Sequence, residues 1–382
     1  MTIIDGETMP QKLGLYIHVP FCLKKCLYCD FCSFPAYSEE LMDAYVKRLN
    51  TDIERCSRDV DGTVDTVYFG GGTPTLLKER HFGSIFDTIS KNYTVDADAE
   101  ISCECNPATV DRKYLEGIRK IGINRLSIGL QSANDNELSA LGRAHSFADF
   151  IKTYQDARRV GFDNLSVDLM YGIPEQTLDS FEDTLAKVRE IAPEHVSAYA
   201  LKIEDGTPFG KAKETLSLPD EDAECDMYAL CNEMLAKSGY QRYEISNFAR
   251  TGFESRHNVK YWICEDYLGF GVAAHSYFKG ERFSNSRDIA AYVRGEDITE
   301  ERRAITKKEQ MTEYVMLRMR MTAGISRSDF KARFGVALED FCPDLSRYVC
   351  AGFMTDSGER VAFTERGIFV SNTILSDILD FD

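Results

Sequence analysis

The chain has 382 residues, 43% of them hydrophobic, with 62 Asp and Glu against 45 Lys and Arg, giving a formal net charge of −17. That length supports a large core and two domains, and the acidic balance excludes nonspecific binding to nucleic acid, a polyanion that the chain repels. No apolar run approaches the ~20 residues that span a bilayer, and the opening stretch MTIIDGETMPQKLG lacks the basic flank and apolar segment of a secretory signal. The expectation is a cytoplasmic protein that is not transmembrane, with peripheral membrane contact left open.

In chain order, LGLYIHV (13–19), TVDTVYF (63–69), AEISCEC (99–105), INRLSIGL (123–130), NLSVDLM (164–170) and HVSAYAL (195–201) read as strands. Segments 39–56, 111–120 and 177–190 between them show helical spacing after a capping Ser, Thr or Asp. About six βα units predict an α/β fold with a parallel sheet curled into a partial (β/α)6, TIM-like barrel. Reactive groups of such barrels sit beyond the strands' C-terminal ends. The unusual residues fall at those places: a cysteine loop after the first strand, GGGTP (70–74) after the second, Glu104 and Asn106 after the third, Gln131, Asp168, and then Lys202 and Glu204.

Beyond residue 205 the alternation stops. Residues 206–300 read as short helices and loops and contain HNVKYW (257–262), and 301–382 read as helix, helix and hairpin, a smaller, mostly helical, winged-helix-like domain. The expected divisions are therefore a tail at 1–12, a barrel at 13–205, a connecting region at 206–300 and the C-terminal domain at 301–382.

Four of the twelve cysteines, Cys22, Cys26, Cys29 and Cys32, share the loop PFCLKKCLYCDFC. In a reducing compartment such a cluster points to metal or redox chemistry rather than disulfides. Thiolates are the preferred ligands of iron-sulfur clusters, and three of them on a four-iron cluster leave one iron open. Zinc with Cys32 as a fourth ligand is the alternative, although structural zinc sites draw on two separated pairs of ligands.

The spacing Cys22-x3-Cys26-x2-Cys29, with Tyr28 before the third cysteine, resembles the signature of radical S-adenosylmethionine (SAM) proteins. YIHVPFC, YFGGGTPT, ECNPATV, RLSIGLQS, LGRAH, DLMYGIPEQT, YEISNFA and HNVKYW resemble, in order, the coproporphyrinogen oxidase-like branch, which holds oxygen-independent coproporphyrinogen III oxidases and haem chaperones. The resemblance implies a [4Fe-4S] cluster on Cys22, Cys26 and Cys29, whose open iron takes the methionine end of SAM and whose electron cleaves it. It implies Tyr16 and Tyr28 beside cluster and SAM, Gly71, Gly72 and Thr73 along the methionine, Glu104, Gln131, Arg143 and Asp168 as polar SAM contacts, and Ala200 near the adenosine. Glycine there lets backbone approach a ligand.

Two features point to the chaperones. Only 21 residues precede Cys22, where the oxidases carry a long extension, and Phe31 stands where the oxidases place a fourth cysteine. His257, Asn258, Tyr261 and Trp262 match an HNxxYW motif associated with haem: imidazole is a good axial ligand, and aromatic faces suit a porphyrin. Cys264 and His275 are the rival ligands. The implied function is binding of haem and its transfer to an acceptor protein, with a reducing electron-donor protein as a further partner. The alternatives are radical decarboxylation of coproporphyrinogen III and another radical reaction on a tetrapyrrole.

Overall fold

The structure is a computed structural model that describes residues 3–4, 7–8, 12–35 and 37–380. Of the expected N-terminal tail, most lies outside the described residues. Six strand-helix units follow one another: β1 (Lys12–Val19) and α1 (Glu39–Ser57), β2 (Thr63–Gly71) and α2 (Glu79–Asn92), β3 (Thr94–Cys105) and α3 (Arg112–Ile121), β4 (Arg125–Gln131) and α4 (Phe147–Arg159), β5 (Leu165–Tyr171) and α5 (Leu178–Ile191), β6 (His195–Ala200) and α6 (Glu221–Lys237). The helices start where short polar side chains satisfy their free N–H groups. Ser38, Asp111, Ser146 and Thr177 each accept from a backbone N–H three residues on, at 2.8–3.3 Å.

β1 to β6 are parallel neighbours in that order. Their two-residue alternation divides the side chains between two faces. One face carries Leu13, Leu15, Ile17, Leu126, Ile128, Val167 and Leu169, all at most 1% exposed, packed with the helices into the main core. Fully burying one such side chain is worth about 1.5–3 kcal/mol. The other face points into the barrel and is polar: Thr66, Ser102, Arg125, Ser127, Ser166, Asp168 and Ser197. Stability thus resides between sheet and helices, which leaves the barrel interior for polar groups.

The sheet continues on both edges. Beyond β6 it adds β7 (Gln241–Arg242) and β8 (Asn247–Ala249). After the short helix α7 (Arg256–Trp262), β9 (Tyr267–Phe270) lies parallel to β1 and is followed outward by β10 (His275–Phe278), β11 (Glu281–Asn285) and β12 (Thr299–Ala304). The reading of 206–300 as short helices and loops needs correction here. α6 is a 17-residue helix that packs on α5, and six strands extend the sheet, two at one edge and four at the other. β12 is TEERRA, exposed throughout, so it has none of the apolar alternation by which a strand is read.

The C-terminal unit has its own core around Val315, Ile325, Phe330 and Val361. α8 (Lys307–Arg318), β13 (Ile325–Ser326), α9 (Arg327–Phe334), α10 (Leu345–Cys350), β14 (Met354–Asp356) and β15 (Arg360–Phe363) give the winged-helix-like arrangement, with sheet order β13-β15-β14. Arg333 donates to the carbonyls of Ile263 and Cys264, and Arg282 pairs with Glu313 at 2.6 Å, which ties this unit to the sheet extension. Among the described residues no helix is long and apolar enough to cross a membrane.

Candidate functional site

The loop after β1 is folded against its neighbours. Cys22 N–H donates to Phe34 O, Phe34 N–H to Pro20 O and Cys29 N–H to Cys26 O, while Leu27 is bonded to Leu141 and Phe209. Cys22, Cys26 and Cys29 all line one cleft of about 380 Å³ at the C-terminal ends of the barrel strands. Cys32 lines a different, adjoining cavity. Among the described residues no three His, Cys, Asp or Glu side chains converge as ligands of a single ion. Thiolates that bind three separate irons of one cluster stand apart by the width of that cluster.

The residues around these thiols suit an anionic group. The Arg143 guanidinium lies 3.6 Å from Cys26 Sγ and donates to Gly129 O, and the Thr73 hydroxyl donates to Cys22 Sγ at 3.5 Å. Tyr28 is half-buried against Arg143 on the same wall. The glycine loop runs alongside, with Gly72 N–H on Val19 O at 2.8 Å and Thr73 N–H on Phe21 O at 2.7 Å. A Cβ on Gly72 would stand 2.6 Å from Phe21 O and 3.1 Å from Cys22 Sγ. At Gly71, where φ is +113°, it would stand 2.5 Å from the His18 ring. The protein's own packing therefore demands these glycines, independently of any ligand.

Two carboxyl groups face each other across the cleft. Glu104 accepts from the Tyr68 hydroxyl and from Gly71 N–H, both at 3.1 Å. Burial, reinforced by Asp168, pushes its pKa up to about 7. Asp168 accepts from the Ser127 hydroxyl at 2.8 Å; burial raises its pKa as well, while Ser127 and the nearby Arg125 oppose the rise. Gln131, with φ +70°, reaches the cleft from the end of β4. Tyr16 stands behind Gly70, its hydroxyl bonded to His18 Nδ1 at 3.1 Å, and lines the adjoining cavity. Ala200 is exposed at the end of β6 and lines neither cavity, and Lys202 pairs with Glu204 at the surface.

Strand alternation places further residues in the cleft that motif reading passed over: Tyr68, Arg125, Ser127, Ser197 and Tyr199. In INRLSIGLQ the inward positions Arg125, Ser127, Gly129 and Gln131 recur at every second residue, a signal available in the sequence. Arg125 is 1% exposed, and its Nε is a buried donor with no partner among the described residues.

The HNxxYW residues lie on α7, below this face. His257 is fully buried. Its Nδ1 is bonded to Thr66 Oγ1 at 2.9 Å and its Nε2 to the Tyr261 hydroxyl at 2.8 Å, and burial lowers its pKa to about 3. The expectation that this imidazole offers a nitrogen to iron meets a geometry in which both nitrogens are engaged. Asn258 lines the cleft and Tyr261 the adjoining cavity, while Trp262 is half-buried on neither lining. Cys264 packs against the C-terminal core, and burial pushes its thiol up to about 11. His275 is exposed on the adjoining cavity of about 410 Å³.

The family profile described as the Radical SAM superfamily matches residues 16–188, and that of the HemN C-terminal domain matches residues 305–370. In fold, the chain is similar to the coproporphyrinogen III oxidase HemN of Escherichia coli, with a TM-score of 0.84 at 22% identity over 98% of this chain and 91% of that one. In sequence it is 34% identical to the heme chaperone HemW of Bacillus subtilis over 95% of this chain and 98% of that protein, and 33% identical to that of Escherichia coli over 95% and 97%. With a third of its residues shared along almost the whole length of those relatives, the chain belongs to the HemW family of radical SAM proteins.

Proposed function

We propose that the chain is a haem chaperone that carries a [4Fe-4S] cluster and SAM, binds haem and passes it to an acceptor protein. The observation that carries this reading is the division of the four loop thiols: Cys22, Cys26 and Cys29 line one cleft, and Cys32 lines another. Three thiols there suit a cluster with one iron left open, and the cleft is large enough for a small organic ligand, within the roughly 300–1,000 Å³ of such sites. When bound, the cluster supplies an electron and an open coordination position.

The chain's own residues divide the remaining work. Arg143 and Thr73 stabilise thiolate charge; Tyr28, Gly71 and Gly72 wall the methionine end of SAM; Glu104, Gln131 and Asp168 offer acceptors along it, with Tyr16 behind Glu104 and Ala200 near the adenosine. For haem, Asn258 and Tyr261 face the two cavities, and His257, bonded to Thr66 and to Tyr261, holds α7 so that they do. The likeness to HemN is one of fold, so decarboxylation of coproporphyrinogen is the competing outcome. Anaerobically reconstituted protein is expected to bind about one haem and to form no protoporphyrinogen from coproporphyrinogen, SAM and reductant. Sustained protoporphyrinogen formation without haem retention would overturn the reading.

A further inference from the structure

We infer that the cavity beside the cluster cleft is the haem seat, with His275 as the iron ligand and Arg287 as the partner of a propionate; this rests on the haem-binding reading above. The chain has six histidines. Five of them, His18, His81, His145, His195 and His257, are at most 5% exposed, and each has a ring nitrogen in a hydrogen bond. His275 alone is exposed, at the start of β10, and its ring has no partner among the described residues. A neutral imidazole with a free nitrogen is what haem iron takes as an axial ligand.

The surroundings of His275 match the rest of a haem. Tyr261, Tyr267 and Phe31 line the same cavity, and Phe31 is 65% exposed, a large apolar face presented to solvent. Flat aromatic side chains suit a porphyrin plane. Arg287 also lines it, with a side chain 67% exposed and only a loose 4.0 Å contact to Asp30, so its fork is available to a carboxylate. A ligand seated there remains open to solvent on one side, as hand-over to an acceptor requires. The cavity also shares Phe31, Gly71 and Glu104 with the cluster cleft, so an occupant of either one touches residues that face the other.

The test is titration of the full-length protein with ferric haem, followed by absorption and electron paramagnetic resonance, with transfer to apomyoglobin giving the dissociation rate. His275→Ala is expected to abolish the imidazole-iron signature and to speed haem loss by about tenfold or more. His275→Gly with free imidazole is expected to restore the signature, which guards against a folding defect. Arg287→Ala is expected to weaken binding of haem but not of its dimethyl ester. His257→Ala, acting through Tyr261, is expected to weaken retention while the signature survives. An unchanged spectrum in His275→Ala, or a thiolate-type spectrum lost only in Cys32→Ala, overturns the ligand assignment and leaves the chaperone reading standing. A wild-type protein that holds haem no better than an unrelated protein overturns both.

Discussion

The two cavities that meet at Phe31 are built on different terms. The thiol-lined cleft is made by the ends of six parallel strands, and most of its charged groups already have partners: Glu104 on Tyr68 and Gly71, Asp168 on Ser127, Arg143 on Gly129. The neighbouring cavity is closed by α7 and the appended strands; apart from His18 and the shared Glu104, which are bonded inside the protein, its charged and basic groups, Asp30, Arg287 and His275, are exposed. A site that must hold a reactive group in one position needs fixed polar walls, because each buried unpaired charge is costly. A site that must release its cargo is better served by ligands that cost little to leave free. The largest expected effects of substitution therefore lie in the first cavity and the smallest in the second.

Loss of a loop thiol tests that difference most sharply. Cys22→Ala, Cys26→Ala and Cys29→Ala are each expected to abolish the cluster in iron and sulfide analysis after anaerobic reconstitution, whereas Cys32→Ala keeps it. A Cys32 variant without a cluster, or a Cys29 variant that retains one, would erase the division between the cavities.

Next in size is the buried acid. The raised pKa of Glu104, about 7 against an ordinary 4.5, means that the folded apo-protein keeps a proton that the unfolded chain has released. The stability this proton brings is full below about pH 4.5 and gone above about pH 7. Glu104→Gln, which cannot ionise, is expected to stabilise the apo-protein by about 2–3 kcal/mol at pH 8, an advantage that falls below about 1 kcal/mol at pH 5. Urea unfolding at the two pH values measures it, and an equal difference at both would mean that Glu104 is ionised throughout.

The same contrast explains what the sequence made legible. The six strands were readable because period-two apolar runs are buried against helices, and the strand-end polar residues followed from barrel geometry. The glycine loop stands at a strand end, where Phe21 O and His18 exclude a Cβ with or without a ligand, a constraint that no local pattern shows. Strands β9 to β12 were missed because they are short, and β12 buries nothing. The burial of His257 depends on Thr66, 191 positions away, and on the buried Lys260–Asp65 pair beneath α7. No local pattern carries such long-range partners. The exposure of His275 is the same problem in reverse.

Asp168 comes third. It accepts from Ser127 and stands next to Arg125, so a ligand that shares this network gains a charged hydrogen bond worth roughly 1.5–3 kcal/mol. Asp168→Ala is expected to weaken SAM binding by about tenfold or more in calorimetry of the cluster-replete protein. Unchanged affinity would remove Asp168 from the SAM site.

The smallest effect belongs to Arg287. Its side chain is 67% exposed and lies 4.0 Å from Asp30, itself 53% exposed, a pair of the kind that contributes between nothing and about 1 kcal/mol. Arg287→Ala is therefore expected to change unfolding free energy by less than about 0.5 kcal/mol. The haem association rate is a separate matter, because an exposed cation at the mouth of a site attracts an anionic ligand from solution and salt screens that attraction. Stopped-flow mixing with haem is expected to show slower capture by the variant at low salt and a difference that shrinks as salt rises. Equal rates at every salt concentration would make Arg287 an ordinary surface residue, and a loss of several kcal/mol in stability would mean that the second cavity is as tightly built as the first.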